Sequence, residues 1–116
     1  MVFSYISESI NSRLLGLNVI FICDPMHGNT KTLNKHKVRF TEDITNEIKQ
    51  AANILNQNGY FLSGVHLEAT FDNVTECLGG KEEEITEDMV SYNYSTYCDP
   101  RLNFKQVIYM VLKFVK

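Results

Sequence analysis

An α/β fold organised on a parallel sheet is what this sequence predicts. Two apolar runs, Val19 to Cys23 and Phe61 to Glu68, read as strands, with helical periodicity between and around them. A third extended segment, Tyr94 to Asp99, completes the order α-β-α-β-α-β-α. Strands that alternate with helices join by right-handed crossovers into a parallel sheet. Punctuation agrees with this order. Both prolines, Pro25 and Pro100, follow a Cys-Asp pair at the end of a strand segment.

Each element has a local reason. Ser4 to Leu14 carries Ile6, Ile10 and Leu14 at intervals of four, a helix that Gly16 would stop. Val19 to Cys23 runs into Asp24-Pro25-Met26-His27-Gly28-Asn29-Thr30, a polar, sharply turning loop. Thr30 to Phe40 holds Lys31, Lys35, His36, Lys37 and Arg39 with little apolar material, and reads as a loop. Thr41 is placed to N-cap a helix, with Glu42 and Asp43 favourable in its first turn. Ile44, Ile48, Ala51, Ala52 and Leu55 form its apolar stripe, and Asn58-Gly59 ends it. After the strand Phe61 to Glu68, the polar stretch Ala69 to Glu84 reads as a loop, and Thr86-Glu87-Asp88 opens a short helix. Asn103 can cap a last helix with an apolar face of Phe104, Val107, Ile108, Val111 and Val115. That segment is rich in β-branched and aromatic residues, so periodicity and Pro100 decide for helix.

Composition bounds the function. The 116 residues are 44% hydrophobic and 22% charged, ordinary for one globular domain. A net charge of −3 supplies no basic field for nucleic acid or an anionic membrane. No apolar run reaches the ~20 residues of a membrane helix. Met1 to Tyr5 lacks a basic region followed by an apolar one, so no secretory signal is expected. Three cysteines without a C-x-x-C pair favour a reducing compartment, here the cytoplasm. The triplets at Asn73 and Asn93 then read as chance matches to the glycosylation pattern.

The chemistry-bearing residues fall at strand ends. His27 lies just beyond the first strand, Glu68 ends the second and Asp99 ends the third. A histidine with two carboxylates suits a divalent cation such as Mn2+, Fe2+ or Zn2+. Alternation puts Gly64, His66 and Glu68 on one side of their strand, with His66 one layer beneath Glu68 as a partner for it. Asp24 is read as a structural acid that fixes the turn to His27. Arg101 is read as capping the rim of the fold, the alternative being a carboxylate partner near the site.

Four segments, 23–30, Gly64-Val65-His66-Leu67-Glu68, 73–80 (Asn-Val-Thr-Glu-Cys-Leu-Gly-Gly) and Cys98-Asp99-Pro100-Arg101-Leu102-Asn103, resemble in order and spacing the type II (plant-like) 3-deoxy-D-arabino-heptulosonate 7-phosphate synthases. The resemblance covers most of the chain. It implies a (β/α)8 TIM barrel of which residues 1–116 are a single partial domain: the C-terminal three βα units, with the sixth to eighth strands. It implies a transferase at the first step of the shikimate pathway, condensing phosphoenolpyruvate with erythrose 4-phosphate. His27, Glu68 and Asp99 match three of the family's four metal ligands. The fourth, a cysteine on the first barrel strand, has no counterpart among Cys23, Cys77 and Cys98.

The metal implied is Mn2+, with Co2+ or Fe2+ as alternatives. Lys37-Val38-Arg39 resembles the family's Lys-Thr-Arg, which makes Lys37 and Arg39 substrate-binding, with one residue fewer than usual after His27. The family is usually homo-oligomeric. Three strands cannot close a barrel, so an N-terminal barrel portion is an implied partner and the 116-residue chain alone is expected to be inactive. The competing reading is a non-catalytic remnant or interaction module that keeps the barrel motifs.

Overall fold

The computed structural model describes residues 16, 18–81 and 84–114, so the helix expected over Ser4 to Leu14 lies outside the described residues. Two strands pair in parallel near its centre. β1 (Phe21–Cys23) lies beside a later strand, Leu62–Val65, with Phe21 opposite Leu62 and Cys23 opposite Val65. The His66 amide extends the pairing by donating to the Cys23 carbonyl at 2.8 Å. Phe21 and Cys23 are buried, while Ile20 and Ile22 are 74% and 61% exposed, so one face of β1 is uncovered.

The basic stretch after His27 is not a loop. After a 3-10 turn at His27–Asn29, β2 (Lys31–Leu33) and β3 (His36–Phe40) form an antiparallel hairpin. Its two-residue turn, Asn34-Lys35, has positive φ at both positions (48° and 73°), as a type I′ turn requires. Hydrophobicity hid the hairpin, because the strands are made of charged and β-branched residues. Along β3 Val38 is wholly buried in one cluster with Leu78 and Val90, while Lys37 and Arg39 share the opposite parity, Lys37 exposed and Arg39 buried.

The first described helix, α1 (Thr41–Gln57), buries Ile44, Ile48, Ala51 and Leu55 of the stripe its sequence predicts, with Ala52 half-buried at its edge. Thr41 is its first helical residue; the capping position belongs to Phe40, and no side chain caps there. The end is a Schellman motif. Tyr60 donates to Leu55, Gly59 donates to Asn56, and Gly59 sits at φ +80°. The Tyr60 ring, beyond the helix end, lies 5.5 Å from the Phe21 ring of β1. β4 (Leu62–Val65) follows.

Within the polar stretch after Glu68 lies a short buried strand, β5 (Cys77–Leu78), parallel to β3 with Arg39 opposite Cys77. Gly79 after it has φ +93°, and a Cβ there would collide with the Thr41 hydroxyl. A 3-10 helix, Glu87–Tyr92, then forms where a short helix was expected.

The third strand expected over Tyr94 to Asp99 does not form. Its amides are directed elsewhere: Ser95 and Thr96 donate to the Glu76 carboxylate, and Cys98 donates to the Thr96 hydroxyl. Leu102 takes the third place instead, bridging in parallel to Ala69, with the Leu102 amide on the Glu68 carbonyl and the Thr70 amide on the Leu102 carbonyl.

Asn103 caps α2 (Phe104–Phe114) as predicted, in a reciprocal capping box. Its Oδ1 accepts from the Gln106 amide at 2.9 Å, and Gln106 Oε1 accepts from the Asn103 amide at 3.0 Å. The buried face differs from the predicted one. Gln106 and Met110 are inside, whereas Phe104, Ile108 and Val111 are more than 40% exposed. Gln106 turns inward because its amide donates to the carbonyls of Cys77 and Gly79. The main core gathers Met26, Ile44, Ile48, Cys77, Leu102 and Met110. The fold is thus a small mixed α/β unit with parallel pairs and one antiparallel hairpin. Among the described residues no helix is long and apolar enough to cross a membrane.

Candidate metal centre

The site begins with the turn after β1. Asp24 Oδ1 accepts from the amides of Met26 (2.9 Å) and His27 (3.2 Å), which closes the turn. Met26 is fully buried in the core, so the residue beside it is anchored while His27 projects into solvent. Asp24 also grips the imidazole, with Oδ2 2.6 Å from His27 Nδ1. Burial opposes ionisation of Asp24, but the two amides and the His27 ring outweigh it and hold the carboxyl below its ordinary value. An ionised Asp24 accepts a hydrogen bond from Nδ1–H, the arrangement that would free Nε2 to ligate a metal.

That Nε2 lies 2.8 Å from Glu68 Oε1. Glu68 follows β4, where the Leu102 bridge holds its backbone. Its second oxygen, Oε2, is 2.5 Å from Arg39 Nη1. Asp99 enters from the loop before Pro100. One ligand atom from each of His27, Glu68 and Asp99 lies within 4.8 Å of the others, and among the described residues no other group of three His, Cys, Asp or Glu side chains does this. One nitrogen and two carboxylate oxygens so close together fit a divalent cation of intermediate hardness.

The cations have different places. Lys37 is exposed, with Nζ 3.6 Å from Asp99 Oδ1 at the rim of the site. Arg39, expected at substrate, has no exposed surface. Its Nη1 donates to Glu68 and to the Pro100 carbonyl (2.7 Å), and its Nε donates to the Thr30 hydroxyl at 3.0 Å. Within this chain the side chain grips a candidate ligand. His66 does not hydrogen-bond Glu68 in the way anticipated. Its ring stacks on His27 with centroids 6.2 Å apart.

Cys23 and Cys77 are buried thiols pushed up to about 11 and about 12, chiefly by desolvation, so neither offers a thiolate. Arg101 follows the alternative reading, a carboxylate partner, rather than the rim cap. It pairs with Glu76, a wholly buried carboxylate to which the sequence assigned no part. The sequence signals for Glu76 are its place in the 73–80 segment of the resemblance and its position between the apolar Val74 and Cys77-Leu78.

The class-II DAHP synthetase family matches residues 4–115. The chain belongs to that family. A phospho-2-dehydro-3-deoxyheptonate aldolase of Neurospora crassa is 44% identical over 102 residues, 87% of this chain and 21% of the relative. The protein of the same name from Streptomyces coelicolor is 42% identical over 92 residues, 78% of this chain and 20% of its own length. One from Streptomyces lividans is 43% identical over 89 residues, 76% of this chain and 60% of the relative. The chain therefore spans about a fifth of the first two relatives. The segments that build the site all lie within the family match.

Proposed function

We propose that this chain is the C-terminal part of a 3-deoxy-7-phosphoheptulonate synthase and contributes three metal ligands, His27, Glu68 and Asp99, to its active site. The observation that carries the reading is the convergence of those three ligand atoms within 4.8 Å in a member of this family. The parallel run of β1, the segment through Glu68 and the Leu102 bridge supports three neighbouring positions of a (β/α)8 barrel. In such barrels the chemistry sits at the C-terminal strand ends.

In the condensation, C3 of phosphoenolpyruvate bonds to the aldehyde carbon of erythrose 4-phosphate, water adds at C2, and phosphate leaves. A bound divalent ion, Mn2+ before Co2+ or Fe2+, supplies Lewis-acid polarisation of the aldehyde oxygen. This chain's side chains prepare the site. Asp24 keeps the His27 Nε2 lone pair outward, and Arg39 fixes the angle of Glu68. Lys37, at the rim beside Asp99, presents an exposed cation to a substrate phosphate or carboxylate. The cysteine ligand and the remaining phosphate-binding cations come from the N-terminal barrel portion.

The test compares the 116-residue chain alone with the chain joined to the part of the Neurospora crassa relative that precedes the matched segment. The chain alone should bind Mn2+ weakly and release no phosphate from the two substrates. The joined protein should bind tightly and release phosphate only with both substrates and metal, and His27→Ala should abolish both properties. Equal Mn2+ affinity for the joined protein and its His27→Ala variant would mean a fold kept without its site. Turnover by the chain alone would mean a self-sufficient centre.

A further inference from the structure

Asp99 poses a structural problem. His27 and Glu68 follow strands that pair with each other, but the segment carrying Asp99 belongs to no strand. A carboxylate on a free loop would sample many positions, and a metal ligand must be held to a fraction of an ångström. The loop from Ser95 to Arg101 is ordered from beneath, by Glu76. This carboxylate is wholly buried, one residue before β5. Its Oε2 accepts from the amides of Ser95 (3.0 Å) and Thr96 (2.9 Å), from the Ser95 hydroxyl (3.4 Å) and from Arg101 Nη2 (2.9 Å). Its Oε1 accepts from the amide (2.9 Å) and Nε (3.1 Å) of Arg101.

The anchored points bracket Asp99 on both sides. Thr96, held by Glu76, donates its hydroxyl to the Asp99 carbonyl at 2.7 Å. The next carbonyl, of Pro100, receives Arg39. The next amide, of Arg101, returns to Glu76. One buried anion therefore does for Asp99 what strand pairing does for the other two residues. Burial alone would raise the carboxyl's pKa, yet the Arg101 side chain and amide and the Ser95 amide hold it below its ordinary value, so the anion is the form that the loop is built on.

We infer that Glu76 is a positioning residue for the metal centre: its buried carboxylate, clamped by Arg101, sets the place of the Asp99 ligand. The inference rests on the metal reading above and adds to it the device that makes Asp99 competent. It also distinguishes Glu76 from the three ligands, since it touches neither metal nor substrate.

The test is a double-mutant cycle read by Mn2+ binding to the joined protein described above, using the electron paramagnetic resonance signal of free Mn2+, with circular dichroism to check folding. Glu76→Gln keeps the shape and removes the charge. It should weaken Mn2+ binding by roughly 10–100-fold, the range for partners that orient a ligand. In an Asp99→Asn background the same change should alter affinity by less than about twofold, because its effect passes through Asp99. A role confined to stability would instead lower affinity by the same factor in both backgrounds, and that result overturns the inference. So does binding that His27→Ala abolishes but Glu76→Gln leaves intact, with the metal reading still standing. Equal binding by the wild type and His27→Ala overturns both. Should Glu76→Gln not fold, Arg101→Gln replaces it in the same cycle, because it removes the clamp from a side chain that is 29% exposed.

Discussion

Arg39→Met removes the guanidinium that grips Glu68 and leaves a side chain of similar reach. The change deletes three hydrogen-bonding arrangements: Nη1 with Glu68 at 2.5 Å, Nη1 with the Pro100 carbonyl at 2.7 Å and Nε with the Thr30 hydroxyl at 3.0 Å. Glu68 is 24% exposed and can turn to water, so its ion pair counts for less than a sealed one. The Pro100 carbonyl sits in the buried hydrogen bond and would be left unsatisfied, at a cost of about 1–3 kcal/mol. Against this, Arg39 buries an Nη2 that has no partner among the described residues, and removing it relieves a cost of similar kind. With those two terms nearly cancelling, the lost Thr30 hydrogen bond and the discounted Glu68 pair, about 1 kcal/mol each, leave a net loss of about 2 kcal/mol, roughly a 30-fold shift in the folding equilibrium.

The functional effect is sharper. Glu68 loses the group that sets its angle toward His27, so Mn2+ affinity should fall by roughly 10–100-fold. Arg39→Lys keeps a charge but not the fork, and should fall between. Urea unfolding followed by circular dichroism gives the first quantity, and a Mn2+ titration gives the second. Wild-type Mn2+ affinity in a folded Arg39→Met protein would refute the argument. If in the joined enzyme that variant raised only the Michaelis constant for a substrate, Arg39 would be a substrate contact after all.

Two further outcomes follow from the same network. Asp24→Asn keeps an oxygen for the amides of Met26 and His27, so stability should change by less than about 1 kcal/mol. Its amide donor facing Nδ1 favours a proton on Nε2, so Mn2+ affinity should fall by roughly 10–100-fold, with the tautomer change visible in imidazole nitrogen shifts. Acid should weaken the fold through Asp24 and Glu76, whose folded carboxyls lie below the ordinary values of 3.8 and 4.5. As pH falls the unfolded chain takes up these protons first, so their contribution is complete above about 4.5 and is lost as pH drops through the folded values. Glu47, raised by burial, acts in the opposite sense and offsets part of the decline. The urea midpoint should be nearly flat from about pH 7 to 5 and fall below, and Glu76→Gln should flatten that fall. An unchanged acid limb in Glu76→Gln would show that this carboxylate carries none of it.

The sequence by itself determined the local elements and the identity of the candidate ligands. The stripe and Gly59 stop of α1, the Asn103 cap of α2 and the turn after Cys23 are all set within a few residues, by periodicity and backbone chemistry that a reader of the chain can see. His27, Glu68 and Asp99 stand out because each closes a recognisable segment. Tertiary structure decided the rest. The hairpin over 31–40 has no apolar alternation to announce it, and its Asn34-Lys35 turn lacks the usual glycine. Only its pairing with β5 shows that Lys37 and Arg39 share a side and that Arg39 is sealed against Glu68. The partners of Arg39 and Glu76 lie 29 and 25 residues away along the chain. An isolated charge in a sequence looks the same whether it meets water, a substrate or a buried counter-ion, because its partner is chosen by packing. Asp99 therefore reaches the site without the strand that its sequence suggested, since the amides of Ser95 and Thr96 find a buried carboxylate before they find a sheet.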